Sequence, residues 1–179
     1  MIFAFDGRKP KIGKGTYISP TAQVIGDVHI GDNCYVGPGA ILRGDYGSIR
    51  IGEGTAVEEG VIIHAPPGEV CVLGSRVTLG HGAIIHSSFI GDYALIGMGA
   101  ITSLGARVGS WTLVAEGAVV KRNQELPDGV VAAGAPAKIV RPINEQEKAY
   151  WTDAKQLYVD LAAKYLEKGL QPMEQSECI

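Results

Sequence analysis

Aliphatic residues recur at every sixth position from near the N-terminus: Ile12, Ile18, Val24, Ile30, Val36 and Leu42. The ladder resumes at Ile51, Val57 and Ile63, at Leu73, Leu79 and Ile85, at Ile90, Ile96 and Thr102, and at Val108, Val114 and Val120. Of these eighteen steps only Thr102 is polar. Glycine often follows the aliphatic residue, as at Gly13, Gly31, Gly52, Gly80 and Gly97. The fifth residue is small or β-branched, as at Thr16, Ala22, Cys34, Thr55 and Ala83. Such a period fits short strands whose inward side chains pile up, with glycine and polar residues turning the corners between them. Three hexads make one coil of a triangular prism. The spacing predicts a solenoid over roughly residues 10–122, about six coils stacked some 4.8 Å apart. Cys34, at a fifth position, reads as a small packed residue.

Three steps break the period: Leu42 to Ile51 is nine residues, Ile63 to Leu73 is ten, and Ile85 to Ile90 is five. Each begins on the third hexad of its coil, and the fifth-position rule fails beside each, at Tyr46, Pro67 and Phe89. The breaks therefore stack on one edge. The residue after the aliphatic one at these places is Arg43, His64 and His86. Side chains one rung apart, about 4.8 Å, let two imidazoles converge on a metal whose nitrogen ligands lie at about 2.0–2.1 Å. His81 precedes His86 by five residues of extended chain, roughly 15 Å, too far to share that metal. If His81 takes part, it reaches a metal held by another copy of the chain. The fourth histidine, His29, reads as a corner or surface residue.

The repeat resembles the hexapeptide-repeat family, whose fold is an all-β solenoid, a left-handed parallel β-helix. Its handedness comes from the resemblance alone, because the general rule for parallel crossovers is right-handed. The stretches "ILRGD" (41–45), "VIIHAPPGE" (61–69) and "GHGAIIH" (80–86) resemble the γ-class carbonic anhydrases and their close homologues. That resemblance implies Zn2+ held by His64 and His86 of one subunit and His81 of its neighbour, in a homotrimer with metal sites between subunits. Fe2+ and Co2+ also accept imidazole. It implies reversible hydration of CO2 to bicarbonate by a metal-bound hydroxide, with Arg43 and Asp45 holding the interface and placing a charged donor near the product. The alternative for that pair is an intersubunit ion pair with no part in turnover.

The sequence also departs from the family. Glutamine then aspartate often stand six and five residues before the first metal histidine; here they are Glu58 and Glu59. Glu59 keeps a carboxylate that orients the nucleophile, whereas Glu58 either adds a proton acceptor or misaligns the hydroxide. The acidic proton-export loop of the prototypes is reduced to "APPGEVCV", which offers only Glu69. Two other readings stand beside the hydratase: a catalytically weak or silent homologue with a structural metal site, and a hexapeptide acyltransferase using acyl-CoA with one histidine as general base.

Asn144 with Glu147 three residues later reads as a capping box opening a helix through about Lys168. Its apolar stripe is Trp151, Ala154, Leu157 or Tyr158, Leu161, Ala162 and Tyr165. The expected organisation is a β-helix over 1–140, a helix packed along it within 141–170, and a mobile tail over 171–179. Composition narrows the partners. A net charge of −3 offers no broad basic surface for nucleic acid, and no apolar run is long enough to span a membrane. The N-terminus lacks the basic start and apolar run of a secretory signal, and Cys34, Cys71 and Cys178 lack paired spacing. Together these predict a cytoplasmic protein.

Overall fold

The computed structural model describes residues 1–173; Cys178 and most of the expected tail lie outside the described residues. The chain winds as a parallel β-solenoid of about seven turns and ends in one helix, α1 (Glu145–Lys168). Short strands stack in parallel register one coil apart, for example Thr78↔Ala56 and Thr78↔Leu95. Three faces result. Face one carries Ile30, Ile51 and Leu73, face two carries Val36, Val57 and Leu79, and face three carries Leu42, Ile63 and Ile85. Every one of these aliphatic side chains points into the core, and most are fully buried.

The solenoid is one turn longer than the six coils expected. Leu126 and Ala132 continue the period six and twelve residues after Val120, pair in parallel with the coil before, and are buried. The proline- and glycine-rich composition after Val120 obscures them. The last face-two strand, Val130–Ala133, is then covered by an antiparallel strand, Lys138–Pro142. This closes the open edge of face two, and it places the boundary with the helix after Pro142 rather than at 140.

The hexad chemistry follows from the close stacking of coils. At Gly52 a Cβ would lie 2.5 Å from the Gly74 carbonyl carbon of the next coil, so only glycine lets the two backbones approach. At the fifth position, buried threonines are satisfied along the stack. Thr16, Thr55 and Thr112 donate to the carbonyls of Gly31, Gly74 and Pro127 at 2.7, 3.0 and 2.6 Å. Thr102, the polar step of the ladder, accepts from Ser88 Oγ at 2.9 Å inside the core. Cys34 and Cys71 are buried, and burial pushes their thiols up to about 11 and about 12. They are packed and unreactive.

Helix α1 opens as expected: Asn144 Oδ1 accepts from Glu147 N–H at 2.8 Å, and Glu147 Oε2 accepts from Asn144 N–H at 3.1 Å. It packs on face two. Ala162 is buried, Tyr165 stacks on Tyr17 with centroids 4.6 Å apart, and Tyr158 lies 5.5 Å from Tyr35. The stripe therefore runs through Tyr158, while Leu157 faces solvent. Its largest buried side chain was absent from the expected stripe. Lys155 lies between helix and sheet, its Nζ donating to Thr78 Oγ1 and the Ala94 carbonyl, each at 3.0 Å.

Candidate metal centre

All three breaks in the ladder fall on the corner between faces three and one. In the first, the chain does not leave the sheet: Ile41–Ile51 runs as one strand round the corner beside Gln23–Ile30, with a register shift between Gly26 and Val28. In the second and third, the chain leaves just after His64 and His86. Arg43, His64 and His86 stand in direct register, Arg43↔His64 and His64↔His86. The two imidazole centroids are 5.2 Å apart. Translation by one rung suffices to bring these residues together.

The electrostatics of this corner favour neutral imidazole. Partial burial lowers the His64 pKa, the Arg43 guanidinium and His86 lower it further, and Asp45 opposes them. Burial alone would raise Asp45, but hydrogen bonds from the Arg43 side chain and the Tyr46 N–H hold its carboxyl below the usual range. Arg43 Nη1 donates to Asp45 Oδ2 at 2.9 Å, and Asp45 Oδ1 lies 3.9 Å from His64 Nε2. The Arg43–Asp45 pair thus forms within one chain.

His81 lies on a different corner, between faces two and three, in a turn flanked by Gly80 and Gly82. Glu58 and Glu59 share that corner one coil earlier. Glu59 Oε2 is 2.6 Å from His81 Nδ1, and Glu58 Oε2 is 3.2 Å from His81 Nε2. Glu58 also accepts the His81 N–H at 3.1 Å, and Glu59 accepts the Tyr35 hydroxyl at 2.8 Å. The structure therefore divides the expected site residues into two groups. Arg43, Asp45, His64 and His86 form one, and Glu58, Glu59 and His81 form the other. Among the described residues of a single chain, no three histidine, cysteine or carboxylate side chains come close enough to hold one metal ion.

The bracketing of His81 by two carboxylates was missed in the sequence, although a signal existed. Glu59 and His81 each follow a face-two aliphatic residue, Val57 and Leu79, by two positions, so they occupy the same slot of successive coils. Lys155 gave no such signal, because it reaches the sheet from a helix outside the repeat. The remaining candidates lie apart. His29 pairs with Asp27 at 3.3 Å on face one. Glu69 is exposed, and Ser87 Oγ is 3.5 Å from it.

A family model described as bacterial transferase hexapeptide (six repeats) matches residues 9–44. The carnitine operon protein CaiE of a Proteus species is 36% identical over 163 residues, covering 91% of this chain and 83% of its own. The mitochondrial gamma carbonic anhydrase 2 of Arabidopsis thaliana is 34% identical over 95% of this chain. The chain belongs to the γ-carbonic-anhydrase-like hexapeptide-repeat family. It spans 63% of the length of the Arabidopsis relative. A crystal structure of a Bacillus cereus protein, described as a candidate acetyltransferase, superposes with a TM-score of 0.90 at 30% identity, covering 92% of this chain and 96% of its own. Proteins named for more than one chemistry thus share this fold. Among the described residues no helix is long and apolar enough to cross a membrane.

Proposed function

We propose that this family member is a cytoplasmic, homotrimeric, metal-dependent carbonic anhydrase. In this reading His64 and His86 of one subunit and His81 of its neighbour hold a divalent ion, Zn2+ or alternatively Fe2+ or Co2+. The observation that carries it is the Arg43–His64–His86 column: a desolvated pair of imidazoles, with His64 disposed to be neutral, beside an oriented guanidinium. An imidazole pair of this kind fits a borderline divalent ion. Such an ion, when bound, lowers the pKa of water from 15.7 toward about 7 and so supplies a nucleophile for CO2 at neutral pH.

The roles of the chain's own residues follow from their positions. Asp45 fixes the Arg43 guanidinium one rung from His64, where its charge favours bicarbonate as the product's charge develops. Glu58 and Glu59 hold the two ring nitrogens of His81, so metal binding would have one carboxylate give up its nitrogen while the other keeps the ring oriented. A trimer is supported by the surface between the two corners. On face three the outward residues Ile41, Ile62, Ile84, Ile101 and Val119 form an aliphatic column in register, with Ile62 and Ile84 40% and 38% exposed. A second copy laid on that column buries it.

The second reading, a metal site that joins the trimer without turnover, is favoured by the proton route. Beside the Arg–His corner the loop offers only the exposed Glu69 as a carrier. An acyltransferase accounts for neither the histidine column nor the Arg43–Asp45 pair. The test is metal content and CO2 hydration on one preparation, purified without chelator and assayed with added Zn2+, Co2+ or anaerobic Fe2+. The hydratase reading expects about one ion per chain and hydration that disappears in His64→Ala. Metal without hydration selects the structural reading, and acyl-CoA turnover with no metal retained overturns both.

A further inference from the structure

We propose that Glu116 of one subunit pairs with Lys121 of its neighbour, two rungs above the proposed metal, and that this contact helps close the trimer without metal. The inference rests on the trimer reading and names a surface by which the copies meet. Each corner bordering face three is a column of stacked side chains. After face two the slot holds Pro38, Glu59, His81, Met98 and Glu116. Their backbones are tied coil to coil: the N–H groups of Gly60, Gly82, Gly99 and Gly117 donate to the carbonyls of Pro38, Glu59, His81 and Met98. After face three the slot holds Ile25, Arg43, His64, His86, Ser103 and Lys121.

A site shared by these two corners joins unlike surfaces, and such contacts close into a ring when the rotation permits. In a closed ring of parallel prisms all copies stand at one height, so each coil meets the same coil of its neighbour. Ile96, Val114 and Ala132 are eighteen residues apart, and His81 and Glu116 each precede the other slot by five. The first slot therefore lies about 1.3 Å below the second on the same coil. His81 of the neighbour then falls between His64 and His86 with no adjustment.

The same alignment decides the other levels. Below the histidines, Phe3 and Ile25 come level with the exposed Pro20 and Pro38, apolar on apolar. Above them Met98, 51% exposed, meets the uncharged Ser103. Next, Glu116 comes level with Lys121. Both are exposed, and neither has an ion-pair partner among the described residues of the single chain. Within one chain they stand at opposite edges of face three, roughly 15 Å of extended backbone apart, so they can pair only between copies.

The test is sedimentation of the metal-free full-length protein over a range of concentrations. Lys121→Glu and Glu116→Lys should each raise the concentration of half-assembly about tenfold, since each sets like charges together at all three contacts. Carrying both reversals in one chain should restore assembly, and high salt should shrink the differences. Arg107→Glu, which changes net charge equally on face one, should leave assembly as it was. Single reversals without effect, or a double reversal no better than either, overturn the pair and leave the shared metal site standing. A wild type that sediments as a monomer or dimer overturns the pair and the trimer together, and Zn2+ uptake per chain by the same wild type tests the shared site separately.

Discussion

The two corners that border face three solve the same problem by different means. At the Arg–His corner the register of the sheet does the positioning: Arg43, His64 and His86 are placed by backbone pairing one rung apart. At the glutamate corner a single exposed imidazole is placed by side chains, Glu58 and Glu59, the latter held in turn by Tyr35. A column inherits its geometry from the repeat, whereas an isolated ligand has to be supported from outside it. The helix packs along face two through Tyr158, Ala162 and Tyr165, beside the corner with one histidine.

The largest effect expected is loss of metal, and it should be equal at the two corners although they are built differently. His64→Ala and His81→Ala should each abolish metal retention. Trimers reassembled from equal amounts of the two variants should regain about a quarter of the sites, because each site of the proposed trimer would take His64 from one chain and His81 from its neighbour. Elemental analysis of the mixed protein checks this, and no recovery would break the division of the site between chains.

An effect of intermediate size concerns the rungs beneath the Arg–His corner. Ile63 is fully buried directly before His64, so Ile63→Ala should cost about 3 kcal/mol in urea unfolding. Because register alone holds that corner, the same variant should weaken Zn2+ binding more than the equally buried Val57→Ala does beneath the glutamate corner.

The smallest effect is a slope with pH. Burial pulls the Lys155 ammonium down to about 7, against the pull of Glu58. Between about 7 and about 10 the unfolded chain therefore holds more of that proton than the folded one, and stability rises with pH. The slope should be below the 1.4 kcal/mol per unit that one whole proton would give, and Lys155→Met should remove it. Chemical unfolding at pH 7, 8 and 9 measures it; an unchanged slope in Lys155→Met would mean that the ammonium is not under strain.

What was legible in the sequence was whatever the repeat copies. Eighteen ladder positions, the stacking of the three breaks and the Arg43–His64–His86 column all follow from translation by one coil. The capping box was legible because Asn144 and Glu147 interact locally. The seventh turn was hidden where Pro127, Gly129 and Gly134 made a continuing strand pattern look like a terminus. Lys155 was unreadable for a different reason. A charged residue inside an apolar stripe normally faces water, and only the carbonyl of Ala94 and the hydroxyl of Thr78, brought from distant coils, make its burial tolerable.

Translational sameness has one more consequence. Ile84 and Ile85 pair with Ile101 and Thr102 just as they pair with Ile62 and Ile63, so Ser103 stands above His86 as His86 stands above His64. The strand register is the same at each of these levels; only the turns that follow them differ in length. Strand register alone gives chemistry no address; the address lies in the irregular turns and in which levels carry imidazole, so exchanging a few corner side chains would remove the site and leave the prism standing.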